Sequence, residues 1–330
     1  MLFSTRRAVI RAAVLTVAGS LATVGAWAQS YPTKPISVIV PIAPAGSTDV
    51  ITRLVVKHMS TTLGQPIIVE NVSGAGGTIG AARVARAAAD GYTLLAGSAG
   101  SLASAYSVYE KMPYTPDSFA QVGLTAVIPT LIVVHKDVPA NSLQELVAYA
   151  KVNPGKVSLG NVGIGTAGHL QCEFFKSTTN ADVALVPYRG AGPMMADLMS
   201  GQIQGACDAT PSSSAAIESG HIRAIAVLGS ERARSIPDVR TTVEQGMPQL
   251  QAPSWIGLAA PKGTPLPVLS ALEKALSAAL DDPAVQGSIL KLGANVPPPA
   301  QRGLKYTDDF VRAEVVKWSG LAKAANLVKQ

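Results

Sequence analysis

Val40-Pro41-Ile42-Ala43-Pro44-Ala45-Gly46-Ser47-Thr48-Asp49 is the stretch on which the reading of the chain turns. An apolar run, Ile36-Ser37-Val38-Ile39-Val40, stops there, and Val50, Ile51, Leu54, Val55, Met59 and Leu63 then recur at helical spacing. A strand that hands over to a helix through small residues turns free backbone N–H groups outward. Gly46, the hydroxyls of Ser47 and Thr48 and the carboxylate of Asp49 can therefore cradle an anion, with Ser47 or Thr48 capping the helix. Taken alone, the stretch reads more readily as an ordinary strand-to-helix turn with a polar cap.

The pattern recurs. Ile67-Ile68-Val69-Glu70 reads as a second buried strand, Gly74-Ala75-Gly76-Gly77-Thr78-Ile79-Gly80 as a glycine turn into a helix, and Tyr92-Thr93-Leu94-Leu95-Ala96 as a third strand before Gly97-Ser98-Ala99-Gly100-Ser101. Such alternation predicts a parallel sheet covered by helices on both faces, with the three loops sharing the edge at the carboxyl ends of the strands, where ligands of these sheets sit. From Leu131-Ile132-Val133-Val134-His135 the pattern starts afresh. Asn141-Ser142 offers a helix cap, and Val157-Ser158-Leu159 leads into a fourth glycine turn, Gly163-Ile164-Gly165-Thr166-Ala167-Gly168-His169. Short apolar runs at 183–187, 203–208 and 224–227 continue the second series. After a further strand at Trp255-Ile256-Gly257-Leu258-Ala259-Ala260-Pro261 only helical patterns remain, at 265–280, 283–292 and 307–325, with no sheet of their own. The expected organisation is thus a first lobe formed by residues 29–129 and 254–330, interrupted by a second lobe at 130–253.

Composition sets the frame for function. The 330 residues are 48% hydrophobic and 15% charged, which excludes a disordered chain. Arg6, Arg7 and Arg11, an apolar stretch and Ala26-Trp27-Ala28 fit a secretory signal over residues 1–28, and Ser4-Thr5-Arg6-Arg7 leaves the twin-arginine route open beside the general one. Without that segment 24 basic residues face 21 acidic ones, too small an excess for a nucleic-acid surface but suited to small anions. Cys172 and Cys207 are the two cysteines. In an oxidising compartment they read either as a disulfide or as two buried thiols.

The chemistry of catalysis is thin. His58, His135, His169 and His221 lie in no metal-ligand spacing, no phosphate loop is present, and Ala96-Gly97-Ser98-Ala99-Gly100 lacks the first glycine of a nucleophile elbow. No cofactor or metal is expected. The enzyme reading that survives is a cleft hydrolase or isomerase using Asp49 and Asp208 as a carboxylate pair.

Several stretches in order, over nearly the whole chain, carry a resemblance: Tyr31-Pro32-Thr33-Lys34-Pro35-Ile36, the 40–49 turn, Leu63-Gly64-Gln65-Pro66-Ile67-Ile68-Val69-Glu70-Asn71, the 74–80 glycine turn, Asp90-Gly91-Tyr92-Thr93-Leu94-Leu95, Gly165-Thr166-Ala167-Gly168-His169-Leu170, Val186-Pro187-Tyr188-Arg189-Gly190 and Ser254-Trp255-Ile256-Gly257-Leu258. The chain resembles the periplasmic solute-binding proteins of tripartite tricarboxylate transporters, the Bug-type receptors. That resemblance implies an α/β, two-lobed periplasmic-binding-protein fold (type II, the Venus-flytrap arrangement) with a ligand cleft between the lobes. It also implies a small carboxylate gripped by the turns at 44–49 and 163–169, with Asp208 at an acidic position facing the cleft. The family often has glycine where Ala45 stands, Asn where Ala209 stands, and His and Asn near Leu102 and Ala105, so the distal half of this pocket is less polar than usual.

The candidate ligand set is therefore Ala45, Gly46, Ser47, Thr48, Asp49, Ser98, Ser101, Gly165, Thr166, Ala167, His169, Tyr188 and Asp208. The expected function is capture of an organic mono- or dicarboxylate or an acidic amino acid in the periplasm, and delivery by the monomeric protein to a membrane permease. A ligand-loaded sensor for a signalling receptor is the alternative among binding proteins. N-terminal sequencing of the exported protein should begin at Gln29; retention of Met1 or Leu2 would overturn the signal assignment.

Overall fold

The computed structural model describes residues 31–325 and 329, so the expected cleavage site lies outside the described residues. Strands are numbered in chain order. The first sheet contains β1 (Ile36–Val40), β2 (Ile67–Asn71), β3 (Thr93–Ser98), β4 (Phe119–Ile128) and β10 (Ser254–Pro261), in the order β2-β1-β3-β10-β4. The second contains β5 (Thr130–His135), β6 (Ser158–Asn161), β7 (Ala184–Pro187), β8 (Gly205–Ala209) and β9 (Ile222–Val227), in the order β7-β6-β8-β5-β9. The helices are α1 (Ser47–Leu63), α2 (Thr78–Ala85), α3 (Ala105–Val108), α4 (Leu143–Val152), α5 (Ala167–Thr179), α6 (Ala191–Met199), α7 (Thr210–Glu218), α8 (Leu266–Asp281), α9 (Pro283–Lys291) and α10 (Leu304–Ala324).

The sheets are mixed, where the sequence pattern predicts parallel ones. β1 pairs in parallel with β2 and β3, and β6 with β7 and β8, but β10 runs antiparallel to β3 and β4, and β5 antiparallel to β8 and β9. The cause is the crossing between lobes. β5 and β10 each begin where the chain enters from the other lobe, at the edge where β1, β3, β6 and β8 end, so they must run the opposite way. The two crossings are adjacent, because Ser254 at the start of β10 is paired with Ile128 at the end of β4.

Two expectations shift for local reasons. β2 is an edge strand rather than a buried one, and Ile68 keeps 59% of its surface. β4 is an added strand; Gln121, Gly123 and Thr125 dilute its apolar run, yet Gln121 and Thr125 are themselves buried.

The C-terminal helix supplies core to the first sheet. Trp255 on β10 and Trp318 on α10 are both buried, and their indole N–H groups donate to the same Glu314 Oε2 at 2.9 and 3.1 Å, while Lys317 reaches Glu314 Oε1 at 2.9 Å. A carboxylate this deep is tolerable because each oxygen has a donor. α10 packs on β4, on the wide turn Gly100–Ser104 and also on α5 of the second lobe.

Cys172 on α5 and Cys207 on β8 are joined by a disulfide whose Cα atoms are 5.7 Å apart, closing a separation of 35 residues. Labelling of the unfolded, unreduced protein with a thiol reagent should give no adduct, and reduction should cost about 2–4 kcal/mol in urea unfolding from the loop it opens. Two labels per chain would refute the bond.

Candidate functional site

The turn after β1 is built around a buried carboxylate. Asp49 is 3% exposed; its Oδ2 accepts from the Ala45 N–H at 3.0 Å, and its Oδ1 accepts from Arg53 Nε and Asn71 Nδ2, both at 2.9 Å. Asn71 Nδ2 also donates to the Ile42 carbonyl at 3.1 Å, which ties the end of β2 to the same turn. Burial alone would raise the pKa of Asp49, but the bonds from Arg53, Ala45 and Asn71 outweigh it and hold the carboxyl below its ordinary value.

This corrects the expected cap. The N-cap of α1 is Gly46, and neither Ser47 nor Thr48 bonds back to the helix start. With the Asp49 side chain spent on Ala45, the first N–H groups of α1 keep no side-chain acceptor and remain available to an anion. Ala45 itself sits at φ +63°, the left-handed region that favours glycine, and the bond from its N–H to Asp49 helps hold it there.

The turn before α5 is closed differently. Thr166 is the N-cap: its Oγ1 accepts from the His169 N–H at 3.3 Å and donates to the Gly163 carbonyl at 2.6 Å, and its own N–H bonds Gly163 O at 3.2 Å. Of the expected set, Ala167 therefore carries an N–H that helix geometry leaves unpaired, whereas the hydroxyl proton of Thr166 is spent inside the turn. Asn161 at the end of β6 accepts from the Gly163 N–H at 3.1 Å, and its buried Nδ2 has no partner among the described residues.

The two turns belong to different sheets and meet at their shared junction. Gly76, at φ +63°, lies so near the second lobe that a Cβ there would come within 2.7 Å of the Ile164 carbonyl oxygen. A Cβ on Gly100 would be 3.5 Å from Thr166 Cα, and one on Gly190 would be 3.8 Å from the Ala43 Cβ. Across this junction Tyr109 donates its hydroxyl to Ile164 O, and Ser104 donates to Gly165 O, each at 3.0 Å. No hydrogen bond among the described residues joins 45–49 directly to 165–167.

The remaining expected residues are engaged within their own lobes. Ser101 is fully buried; its Oγ accepts from the Ser98 N–H at 3.1 Å, and its carbonyl accepts from Tyr114. Tyr188 donates to Asp197 Oδ2 at 2.8 Å, and burial together with that carboxylate pushes the phenol up to about 12. His169 is buried with Nε2 3.8 Å from Glu173 Oε1; burial favours the neutral ring, which Glu173 opposes, and Nδ1 lacks a partner among the described residues. Asp208, 4% exposed, accepts from the hydroxyls of Ser212 and Ser213 at 2.7 and 2.6 Å; burial pushes its carboxyl up against those two bonds.

Asn71, Arg53, Ser104 and Tyr109 are participants beyond the expected set. Asn71 stands in one of the stretches that carry the resemblance, but nothing in the linear pattern pairs it with Asp49. A cavity of about 230 Å³ lined by Arg234, Asn295 and Arg302 lies elsewhere and contains none of the expected residues.

Two α/β lobes, joined by adjacent crossings and meeting at helix-opening turns, define a solute-binding protein of the periplasmic-binding-protein fold. The chain belongs to the tripartite tricarboxylate transporter receptor family, whose profile matches residues 51–327. Protein BugT of Bordetella pertussis is 34% identical over 321 residues, covering 97% of each chain. MatC of Rhodopseudomonas palustris with bound malate is 36% identical with a TM-score of 0.84, covering 88% of this chain and all (100%) of its own. Rpa4515 of R. palustris with adipate is 32% identical with a TM-score of 0.86, covering 91% of this chain and 100% of its own. The chain is accordingly a binding receptor and not an enzyme.

The depressed Asp49 pKa gives a signed prediction. A carboxyl whose folded value lies below its unfolded one stabilises the fold above the ordinary value of 3.8, and that stabilisation is lost as pH falls through the folded value. Asp49→Ala should therefore cost about 1.5–3 kcal/mol in urea unfolding at neutral pH. The gap from wild type should close in acid below 3.8, and a gap independent of pH would show that the charge is not what holds the turn.

Proposed function

We propose that the chain captures a small carboxylate, an organic mono- or dicarboxylate or an acidic amino acid, between its lobes, and delivers it to the membrane permease of a tripartite transporter. The observation that carries this reading is the uncapped start of α1. Three residues able to cap it stand in its first turn, yet no side chain does so, which leaves donors at the positive end of a 17-residue helix. Bound malate and adipate in the two relatives support the same ligand class.

In this reading the N–H groups of Gly46, Ser47 and Thr48, with the hydroxyls of Ser47 and Thr48, meet one side of the carboxylate. The N–H groups of Gly165 and Ala167 meet the other as the lobes close. Thr166 shapes its turn, and Asp49 positions the first turn from behind. Ala45, Ser98, Ser101, His169, Tyr188 and Asp208 line or support the space for the rest of the ligand. The lobes divide at 29–129 with 254–330 and at 130–253, residues 1–28 are removed on export, and the mature protein works as a monomer in the periplasm.

Titration calorimetry with malate, adipate and the corresponding amides tests the grip. One acid per chain should bind, and neutralising the gripped carboxylate as its amide should weaken binding at least about 10-fold, since hydrogen bonds to a charge exceed those to a neutral oxygen. Equal affinity for acid and amide would overturn the reading.

A further inference from the structure

Tyr109 and Ser104 stand on the first-lobe side, at the end of and just before α3, yet both donate across the junction to the second lobe. Their acceptors are consecutive carbonyls, Ile164 O and Gly165 O, of the turn that opens α5. Ser104 is fully buried, and Tyr109 is half-buried with burial raising its pKa, so it donates as the neutral phenol at physiological pH. Their approach needs the glycines that meet there. A Cβ on Gly165 would fall 2.7 Å from Tyr109 Cε2, and one on Gly76 2.7 Å from Ile164 O.

We propose that Tyr109 and Ser104 form a latch that holds the lobes together independently of which ligand lies between them. The inference rests on the carboxylate-binding reading above and adds to it the residues that set the closing equilibrium. Carbonyl oxygens are useless for gripping an anion and repel it when left bare. Donors from the first lobe occupy them, which joins the lobes and removes two negative dipole ends from the surroundings of the ligand. The turn's N–H groups stay unspent by the latch, because a trans peptide points N–H and C=O in opposite directions. A contact made only on closure multiplies the affinity for every ligand by the same factor, since apparent affinity scales with the fraction of protein in the competent form.

The test compares Tyr109→Phe, Ser104→Ala and the double variant with wild type. Calorimetry with malate and with adipate should show each single variant binding about 2- to 10-fold more weakly, the loss of one hydrogen bond, with the same factor for both acids. Small-angle scattering should show the double variant without ligand more open than wild type. Unchanged affinity, or factors that differ between the acids, would overturn the latch, the second outcome making these residues ligand contacts. Should wild type bind neither acid, nor succinate, acetate, aspartate or glutamate in the same assay, the carboxylate reading fails instead. The latch is then decided by scattering alone, and an equal radius of gyration in wild type and double variant overturns it.

Discussion

A single buried carboxylate organises the first lobe's approach to the junction. Asp49 gathers the N–H of Ala45, the guanidinium of Arg53 and the amide of Asn71, and thereby fixes the end of β1, the first turns of α1 and the end of β2 as one piece. Each bond is charge-assisted and ends on a buried carboxylate, so the knot resists the left-handed strain at Ala45 that a less firmly held turn would relax. Its consequence for function is indirect. By turning back to Ala45, Asp49 leaves the positive end of α1 open, and its own negative charge is compensated by Arg53.

The second lobe solves the same problem with neutral groups. Thr166 closes its turn through one hydroxyl that both accepts and donates, and no charged side chain takes part in that closure. A turn built this way is held less firmly than one tied by a carboxylate, and part of its geometry comes from the opposite lobe through Ser104 and Tyr109. The two turns thus differ in how they are held: the first by bonds within its own lobe, the second in part by donors from the opposite one.

The strand-to-helix turns were legible in the sequence because they depend on residues that follow one another. Apolar runs, glycine turns and helical spacing located β1, β3, α1 and α5 to within a few residues. The misreadings have specific causes. Ser47 and Thr48 are good caps by type; Arg53 stands four residues from Asp49, a spacing open to sequence reading, but only the tertiary position of Asn71 completes the set of donors around the carboxylate that closes the turn toward Ala45. The antiparallel strands β5 and β10 follow from which lobe the chain has just left, which is a property of topology and not of pattern. Ser104 and Tyr109 act on carbonyls 61 and 55 residues away, and backbone acceptors carry no signature of residue type.

α5 links these features mechanically. Its first residue follows the Thr166 cap, its second turn carries Cys172, bonded to Cys207 on β8, and between them Gln171 reaches the crossings. The Gln171 amide donates to Thr130 Oγ1 at 3.1 Å and to the Ala252 carbonyl, and Thr130 Oγ1 donates to the same carbonyl at 3.0 Å, so one residue from each crossing is bonded to the helix that the Thr166 turn opens. On the other flank Thr210 donates to the Gly293 carbonyl at 2.7 Å, a further tie between second-lobe and first-lobe chain beside Pro129. A displacement of the turn at Thr166 cannot be absorbed within α5, which the disulfide pins to the sheet. The turn is thereby coupled through α5 to the second sheet and to both crossings between the lobes.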